Sequence, residues 1–235
     1  MRTWIVALAL VGSVGVAQAG DGYGEARPFS WTGFYIGAHG GVATGDTSGR
    51  TDFGGGGFPV NSDYDMSGGT WGGHIGYNYQ SGRTVIGIEG TWSSLDLQGD
   101  TNCLATAGVS INCRRSTDWL ATVVGRLGIA MDRAMVYGLA GVAWGEVDTN
   151  SEGTFLIFPL TATGSATHVG WVAGVGLEYA VTQNILARVE YNHVDLGSER
   201  LDLDLAFGGT TVGTLPSKAD LTADIIKVGV SWKLN

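Results

Sequence analysis

Apolar residues alternate with small or polar residues through most of the chain after position 31, and no 3.6-residue apolar period is sustained anywhere. Alternation of this kind is typical of β-strands that have one apolar face and one polar face. The pattern predicts eight strands, at residues 31–43, 70–80, 84–97, 117–130, 134–148, 167–180, 185–196 and 221–234. The predicted fold class is therefore all-β.

The connections between these strands alternate in length. Tight turns are predicted at residues 81–83, 131–133 and 181–184. Long, polar, glycine-rich loops are predicted at residues 44–69, 98–116, 149–166 and 197–220. An even number of strands, with short turns at one end and long loops at the other, is typical of a bacterial outer-membrane barrel. We predict an eight-stranded antiparallel up-and-down transmembrane β-barrel with three short periplasmic turns and four long surface loops.

The last predicted strand shows how the alternation assigns the two faces. Val228 and Trp232 share its apolar face, whereas Lys227 and Ser231 share its polar face. A soluble sandwich or lipocalin-like barrel packs the apolar face inside, and a membrane barrel turns it outward. Aromatic residues near both ends of the strands favour the membrane barrel, because aromatic girdles flank its apolar band. The predicted girdles consist of Trp71, Trp92, Trp119, Trp144 and Trp171 towards the long loops, and of Phe34, Tyr77, Tyr79, Tyr137, Tyr179 and Trp232 towards the short turns.

Six ionisable residues lie on the opposite face, in the middle of the strands. They are Glu89, Arg126, Glu178, Arg188, Glu190 and Lys227. In a soluble barrel these residues would face water, but in an eight-stranded membrane barrel they must point into a lumen that side chains just fill. Because three are acidic and three are basic, we predict one mutually neutralising ion network that occludes the lumen.

Composition and charge exclude several classes of protein. With 44% hydrophobic and 15% charged residues, the chain is not intrinsically disordered. Its 40 glycines do not recur in strict threes, so it is not collagen. The net charge of −9 repels phosphate backbones, and nucleic acid is therefore not expected as a partner. After the first residues, no apolar run is long enough for a membrane-spanning helix.

The N-terminal residues predict export. Residues 1–19 combine Arg2, an apolar run at 4–16 and the small-x-small site Ala17-Gln18-Ala19, which is typical of a secretory signal peptide. A short membrane anchor is the alternative, but a spanning helix needs about 20 apolar residues. We therefore predict a signal peptide at 1–19, a short periplasmic lead at 20–30 and the barrel at 31–235.

The two cysteines, Cys103 and Cys113, both lie in the second predicted long loop. Oxidising conditions outside the cytoplasm favour one disulfide between them. A metal-binding pair is the alternative, and it is disfavoured because no His, Asp or Glu lies between the two cysteines.

Catalysis in a barrel of this kind needs a His near a Ser or Asp at the outer end. His193 with Asp195 and Ser198 is the best candidate, but His193 has the parity of the lipid-facing residues. His39 and His74 point inward on neighbouring strands, where lumen hydrogen bonding is favoured over a metal because no third ligand is evident. We predict no enzymatic activity, no cofactor and no metal site.

Four sequence motifs, in the expected order, resemble the small porin-like surface antigens of Gram-negative outer membranes. They are WTGFYIG at 31–37, GGHIGYNYQ at 72–80 followed by VIGIEG at 85–90, EYNHVDLG at 190–197, and IKVGVSW at 226–232. The resemblance covers the chain from about residue 31 onward. It implies an eight-stranded barrel like the OmpA membrane domain, with no cofactor and no catalytic residues. Members usually end on an aromatic residue, whereas this chain ends with Trp232-Lys233-Leu234-Asn235.

These observations together predict a monomeric, non-enzymatic protein of a Gram-negative outer membrane. Its expected role is envelope integrity and contact with the surroundings or a host through the surface loops. The expected partners are outer-membrane lipid and lipopolysaccharide, the barrel-insertion machinery, and a host or surface ligand bound by the loops. A small diffusion porin and a surface receptor for a small ligand are the alternatives.

Overall fold

The computed structural model describes residues 29–52, 59–106, 109–155, 158–207 and 210–234. Side chains are described at residues 29–45, 66–96, 119–146, 167–197 and 221–234. The predicted signal peptide at 1–19 and most of the predicted lead at 20–30 lie outside the described residues and remain predictions.

Eight antiparallel strands form one closed barrel in which each strand pairs with its neighbours in sequence. The strands are β1 (Gly33–Asp52), β2 (Pro59–Ser81), β3 (Thr84–Thr106), β4 (Val109–Met131), β5 (Ala134–Phe155), β6 (Phe158–Ala180), β7 (Ile185–Phe207) and β8 (Thr210–Lys233). β1 pairs with β8 from Tyr35↔Lys233 to Thr51↔Ser217 and so closes the ladder. The predicted fold class is confirmed.

The three predicted tight turns are present. Gly82 and Asp132 lie in the β2–β3 and β4–β5 turns with positive φ angles of 61° and 55°, a conformation that Gly and Asp adopt most readily. In the β6–β7 turn, the Thr182 hydroxyl accepts hydrogen bonds from the backbone N–H groups of Asn184 and Ile185. Local turn chemistry therefore sets these three connections.

The four long connections are present, and the structure corrects their character, because most of their residues are paired strand and not loop. β3 continues to Thr106 and β4 begins again at Val109, so most of the predicted loop at 98–116 is a paired hairpin. The strands contain 20 to 24 residues, about twice the 9 to 11 that cross a membrane.

Apolar side chains face outward along the barrel wall, as the alternation predicts. On β8, Val228 and Trp232 are exposed, whereas Lys227 and Ser231 are buried in the lumen. The outward face would be unstable in water and is suited to lipid. Among the described residues, the structure contains no helix with the length and apolar character needed to cross a membrane.

The chain enters the barrel two residues later than predicted. β1 begins at Gly33, whose φ of 141° is unfavourable for other residues and redirects the backbone. Trp31 therefore lies before the strand, and its side chain is buried with Phe29 rather than aligned along the wall.

Candidate functional site

The lumen contains a layer of paired charges centred on Arg126 of β4. Its guanidinium donates from Nη2 to Glu178 Oε2 at 2.6 Å and from Nη1 to Glu89 Oε2 at 3.2 Å. Nη1 also donates to the Tyr35 hydroxyl at 2.5 Å. These side chains are buried, and they come from β1, β3, β4 and β6. Arg126 thus connects four strands of the barrel.

Two further pairs complete the charge layer. Arg188 Nη1 donates to Glu89 Oε2 at 2.6 Å, so that Glu89 is bound by two guanidinium groups. Lys227 Nζ lies 2.9 Å from Glu190 Oε1. All six predicted lumen residues are therefore buried, and each is in an ion pair with another member of the set.

Two tyrosines belong to the same layer, and sequence reasoning missed both as lumen residues. The Tyr35 hydroxyl donates to Glu89 Oε2 at 2.8 Å, and the Tyr137 hydroxyl donates to Glu190 Oε2 at 2.8 Å. The Arg126 guanidinium carbon lies 4.0 Å from the centre of the Tyr137 ring. A cation stacked on an aromatic face is stabilised further in a buried site.

The placement of Tyr137 in the outer aromatic girdle was wrong, since only 2% of its side chain is exposed. Tyr137 shares the inward parity of Leu139 and Ala143 on β5, whereas Val136 and Val142 face outward. That parity was present in the sequence, and it outweighs the general preference of tyrosine for membrane interfaces.

Glycines make room for the tyrosine rings. A Cβ added at Gly76 would overlap the Tyr35 phenol, and one added at Gly176 would overlap the Tyr137 phenol. Each ring therefore lies in a hollow that a side chain at the glycine would fill. Close packing against these rings is thus a structural reason for glycine at Gly76 and Gly176.

A chain of hydrogen-bonding groups lies next to the charge layer. His39 and His74 approach each other with their Nδ1 atoms 3.4 Å apart. The Nε2 atom of His39 lies 2.9 Å from Ser93 Oγ, and that of His74 lies 2.7 Å from Ser231 Oγ. Within the described residues no group of three or more His, Cys, Asp or Glu could hold a metal ion.

The periplasmic mouth is covered by residues that precede β1. Trp31 is 1% exposed, and its indole Nε1 donates to the Asp132 carbonyl in the β4–β5 turn at 3.1 Å. Its backbone N–H donates to Gln80 Oε1 at 2.8 Å. Lys233 Nζ donates to the Ser30 carbonyl at 2.5 Å and ties this segment to β8. The segment thus lies across the short-turn end of the lumen.

Apolar side chains surround a small cavity on the other side of the charge layer. Seven side chains there enclose a cavity of about 10 Å³, which has room for about one water molecule. They are Leu95, Leu120, Val194, Leu196, Leu221, Ala223 and Ile225. Along the described lumen, a set of apolar side chains, the charge layer and the Trp31 segment thus follow one another.

The other predicted girdle residues point outward to different extents. Trp71, Trp92, Trp171, Tyr79, Tyr179 and Trp232 are exposed on the barrel wall, and Tyr77, Trp119 and Trp144 are partly exposed. Trp119 Nε1 donates to Glu146 Oε2 at 2.9 Å. These positions match the geometry of interfacial aromatic belts.

Among the described side chains, His193 contacts Asp224 and not Asp195, with which it forms the best catalytic candidate in the sequence. His193 Nδ1 lies 2.8 Å from Asp224 Oδ1 on β8, whereas Asp195 Oδ1 accepts the backbone N–H of Gly197 at 2.8 Å. Pairing between β7 and β8 brings His193 opposite Asp224. The side chain of Ser198 lies outside the described residues.

The strands bring Cys103 and Cys113 into one hairpin, in which Asn102 pairs with Asn112 and a register shift follows. The cysteine side chains lie outside the described residues, so the disulfide stays a prediction.

The hairpin position leads to a testable expectation for these cysteines. Native, unreduced protein should not react with a thiol reagent at Cys103 or Cys113. Reduction should loosen the hairpin, with a loop-closure effect of about 2.8 kcal/mol, and leave the barrel folded because its ladder is closed independently. Mass spectrometry of labelled protein and gel mobility of the unheated barrel measure the two effects, and labelling of both native cysteines would contradict the pairing.

Comparisons with known proteins agree with this geometry. The family model described as "Outer membrane protein beta-barrel domain" matches residues 5–233. The 22 kDa outer membrane protein of Rhizobium leguminosarum bv. viciae is 35% identical over 177 residues, which cover 74% of this chain and 69% of that protein. The 31 kDa outer-membrane immunogenic protein of Brucella melitensis is 31% identical over 230 residues, which cover 87% of this chain and 84% of that protein.

Solved structures of outer-membrane barrels resemble this chain. The outer membrane protease OmpT from Escherichia coli superimposes with a TM-score of 0.52 and 13% sequence identity, covering 89% of this chain and 99% of that chain. At this identity the likeness concerns the fold alone. The closed barrel, its apolar outer wall and the family match over nearly the whole chain lead to one conclusion: the chain belongs to the outer membrane protein β-barrel family and resides in the outer membrane.

Proposed function

We propose that this protein is a sealed, non-enzymatic barrel that contributes to envelope integrity and presents its projecting hairpins to the surroundings. The observation that carries the proposal is the charge layer, in which Arg126 binds both Glu89 and Glu178 inside the lumen. A diffusion pore needs a continuous water-filled path, and paired side chains occupy that path here.

The histidines support a non-enzymatic role. His39 and His74 each contact a serine, but Ser93 and Ser231 are buried in the lumen, where a substrate has no access. The second ring nitrogen of each His faces the other His rather than a carboxylate that could orient it for base catalysis. His193 does contact a carboxylate, that of Asp224, but this pair lies on the outer wall of the barrel and away from both serines.

A conductance measurement tests the sealed lumen. Purified protein in a planar lipid bilayer should give no steady nanosiemens-scale conductance. The reason is that the paired side chains of the charge layer occupy the lumen through which ions would have to pass. A general porin inserted in the same membranes serves as the control for detection. Steady conductance of that size from the monomer would favour the porin alternative and contradict the proposal.

A deletion strain tests the two parts of the proposed role separately. Loss of the protein should raise sensitivity to detergents and lower binding to host cells. A variant in which residues 99–115 are replaced by Asn-Gly keeps the pair Gln98↔Ser116 at the end of the shortened hairpin. We expect this variant to restore detergent resistance and not binding. Full restoration of host-cell binding by this variant would show that the β3–β4 hairpin is not the binding element. If the deletion changed neither detergent sensitivity nor binding, the proposed function would be contradicted.

A further inference from the structure

A cluster of polar and aromatic side chains interrupts the apolar outer wall of the barrel on β6, β7 and β8. Asp224 Oδ1 accepts a hydrogen bond from the Tyr191 hydroxyl at 2.7 Å and lies 2.8 Å from His193 Nδ1. The centre of the Trp171 ring lies 5.5 Å from that of the His193 ring. All four side chains are partly exposed. We call Trp171, Tyr191, His193 and Asp224 the rim cluster.

The rim cluster lies at the outer boundary of the membrane-spanning part of the wall. Trp171, His193 and Asp224 stand roughly nine residues from the short-turn ends of β6, β7 and β8, and about 9 to 11 residues cross the bilayer. Exposed apolar residues such as Ile226 and Val228 continue the wall towards the periplasm. The rim cluster is therefore at the depth of the lipid headgroups of the outer leaflet.

The chemistry of the rim cluster suits a neutral polar partner better than an anionic one. Among the described side chains, the lysines and arginines lie in the lumen or at the short-turn end, and none accompanies Asp224 on the outer wall. A phosphate there would be repelled by the Asp224 carboxylate. Both described hydrogen bonds of Asp224 end on Oδ1, so that neither occupies Oδ2. A carboxylate oxygen forms strong hydrogen bonds with hydroxyl or amide donors.

We propose that the rim cluster binds the sugar headgroup of an outer-leaflet glycolipid. Asp224 accepts hydrogen bonds from the sugar hydroxyl or amide groups, and the Trp171 and His193 rings pack against the apolar C–H face of the sugar. Tyr191 holds the carboxylate in place. The site continues the lipid-facing wall, where glycolipid is the neighbour at this depth, and it does not depend on whether the lumen conducts ions.

Native mass spectrometry of the whole barrel with monophosphoryl lipid A tests this site, with phosphatidylglycerol as the lipid that lacks a sugar. Asp224→Asn and His193→Ala should each weaken lipid A binding about tenfold, as expected for one charge-assisted hydrogen bond or one ring contact. Binding of phosphatidylglycerol should not change. The matched control is Asp96→Asn, which removes an outward-facing carboxylate from β3, away from the rim cluster. The different mobility of heated and unheated protein on gels shows that each variant is folded.

Three results would overturn the proposal. One is unchanged lipid A binding in both cluster variants, and another is an equal loss in the Asp96→Asn control, which would indicate a general charge effect. The third is loss of wild-type binding on addition of a chelator, which would indicate a bridging divalent cation instead of direct sugar contact. Should Asp224→Asn fail to fold, His193→Ala measures the same site, because its ring lies between Trp171 and Asp224.

Discussion

Arg126→Ala is expected to destabilise the folded barrel by about 3 to 5 kcal/mol, because removal of one partner leaves buried charges uncompensated. Arg126 binds Glu178 and Glu89, and both carboxylates are buried. In the variant Glu89 keeps Arg188 as a partner, whereas Glu178 loses its ion pair with Arg126. The destabilisation therefore arises mainly from the uncompensated carboxylate of Glu178. Urea titration of the protein refolded in lipid vesicles gives the free energy of unfolding.

Two variants control this experiment. Arg133→Ala removes an arginine from the β4–β5 turn, where its Nη1 makes only long contacts of 3.5 and 3.4 Å to the carbonyls of Ala180 and Val181, and it should cost far less. Adding Glu178→Gln to Arg126→Ala should recover part of the loss, since the neutral amide needs no cation. A small effect of Arg126→Ala, or no recovery in the double variant, would show that the charge layer does not stabilise the barrel.

Val228→Arg should cost about 2 to 4 kcal/mol, since it places a charge near the bilayer midplane on a wall position that is 60% exposed. The control is Leu234→Arg, on the same face of the chain but at the periplasmic interface, where an arginine costs about 0 to 1 kcal/mol. Vesicle refolding followed by urea titration measures both. Equal costs would contradict the assignment of Val228 to the lipid-facing side.

Ser231 is not a suitable lumen-side control for this comparison. From the alternation alone, an arginine at this position would be expected to cost less than one at Val228. The structure shows Ser231 1% exposed and hydrogen-bonded to His74, so Ser231→Arg would overfill the lumen as well as introduce a charge. The loss of stability in Ser231→Arg would therefore reflect overpacking of the lumen and not the depth of the residue in the membrane.

The sequence alone determined the number of strands, the tight turns and the two faces of the wall. Val228 faces lipid and Lys227 faces the lumen because successive side chains of a strand must point to opposite sides, which is a local property of the backbone. Turn residues such as Gly82 likewise act through their own φ angle. The placement of Glu89 and Arg126 inside follows from the same alternation.

Only the tertiary structure decided which groups meet. Arg126 reaches Glu178 two strands away, and Arg188 reaches Glu89 across the lumen, because strand tilt and stagger set their relative heights in a closed barrel. His193 meets Asp224 rather than Asp195 because the pairing of β7 with β8 places them opposite each other. The continuation of β3 and β4 beyond the membrane also depends on pairing, since cross-strand hydrogen bonds hold hairpins whose residues show no apolar alternation. Which side chains meet across strands could thus be determined only from the closed barrel. Which face each residue occupies could be determined from the sequence of its own strand.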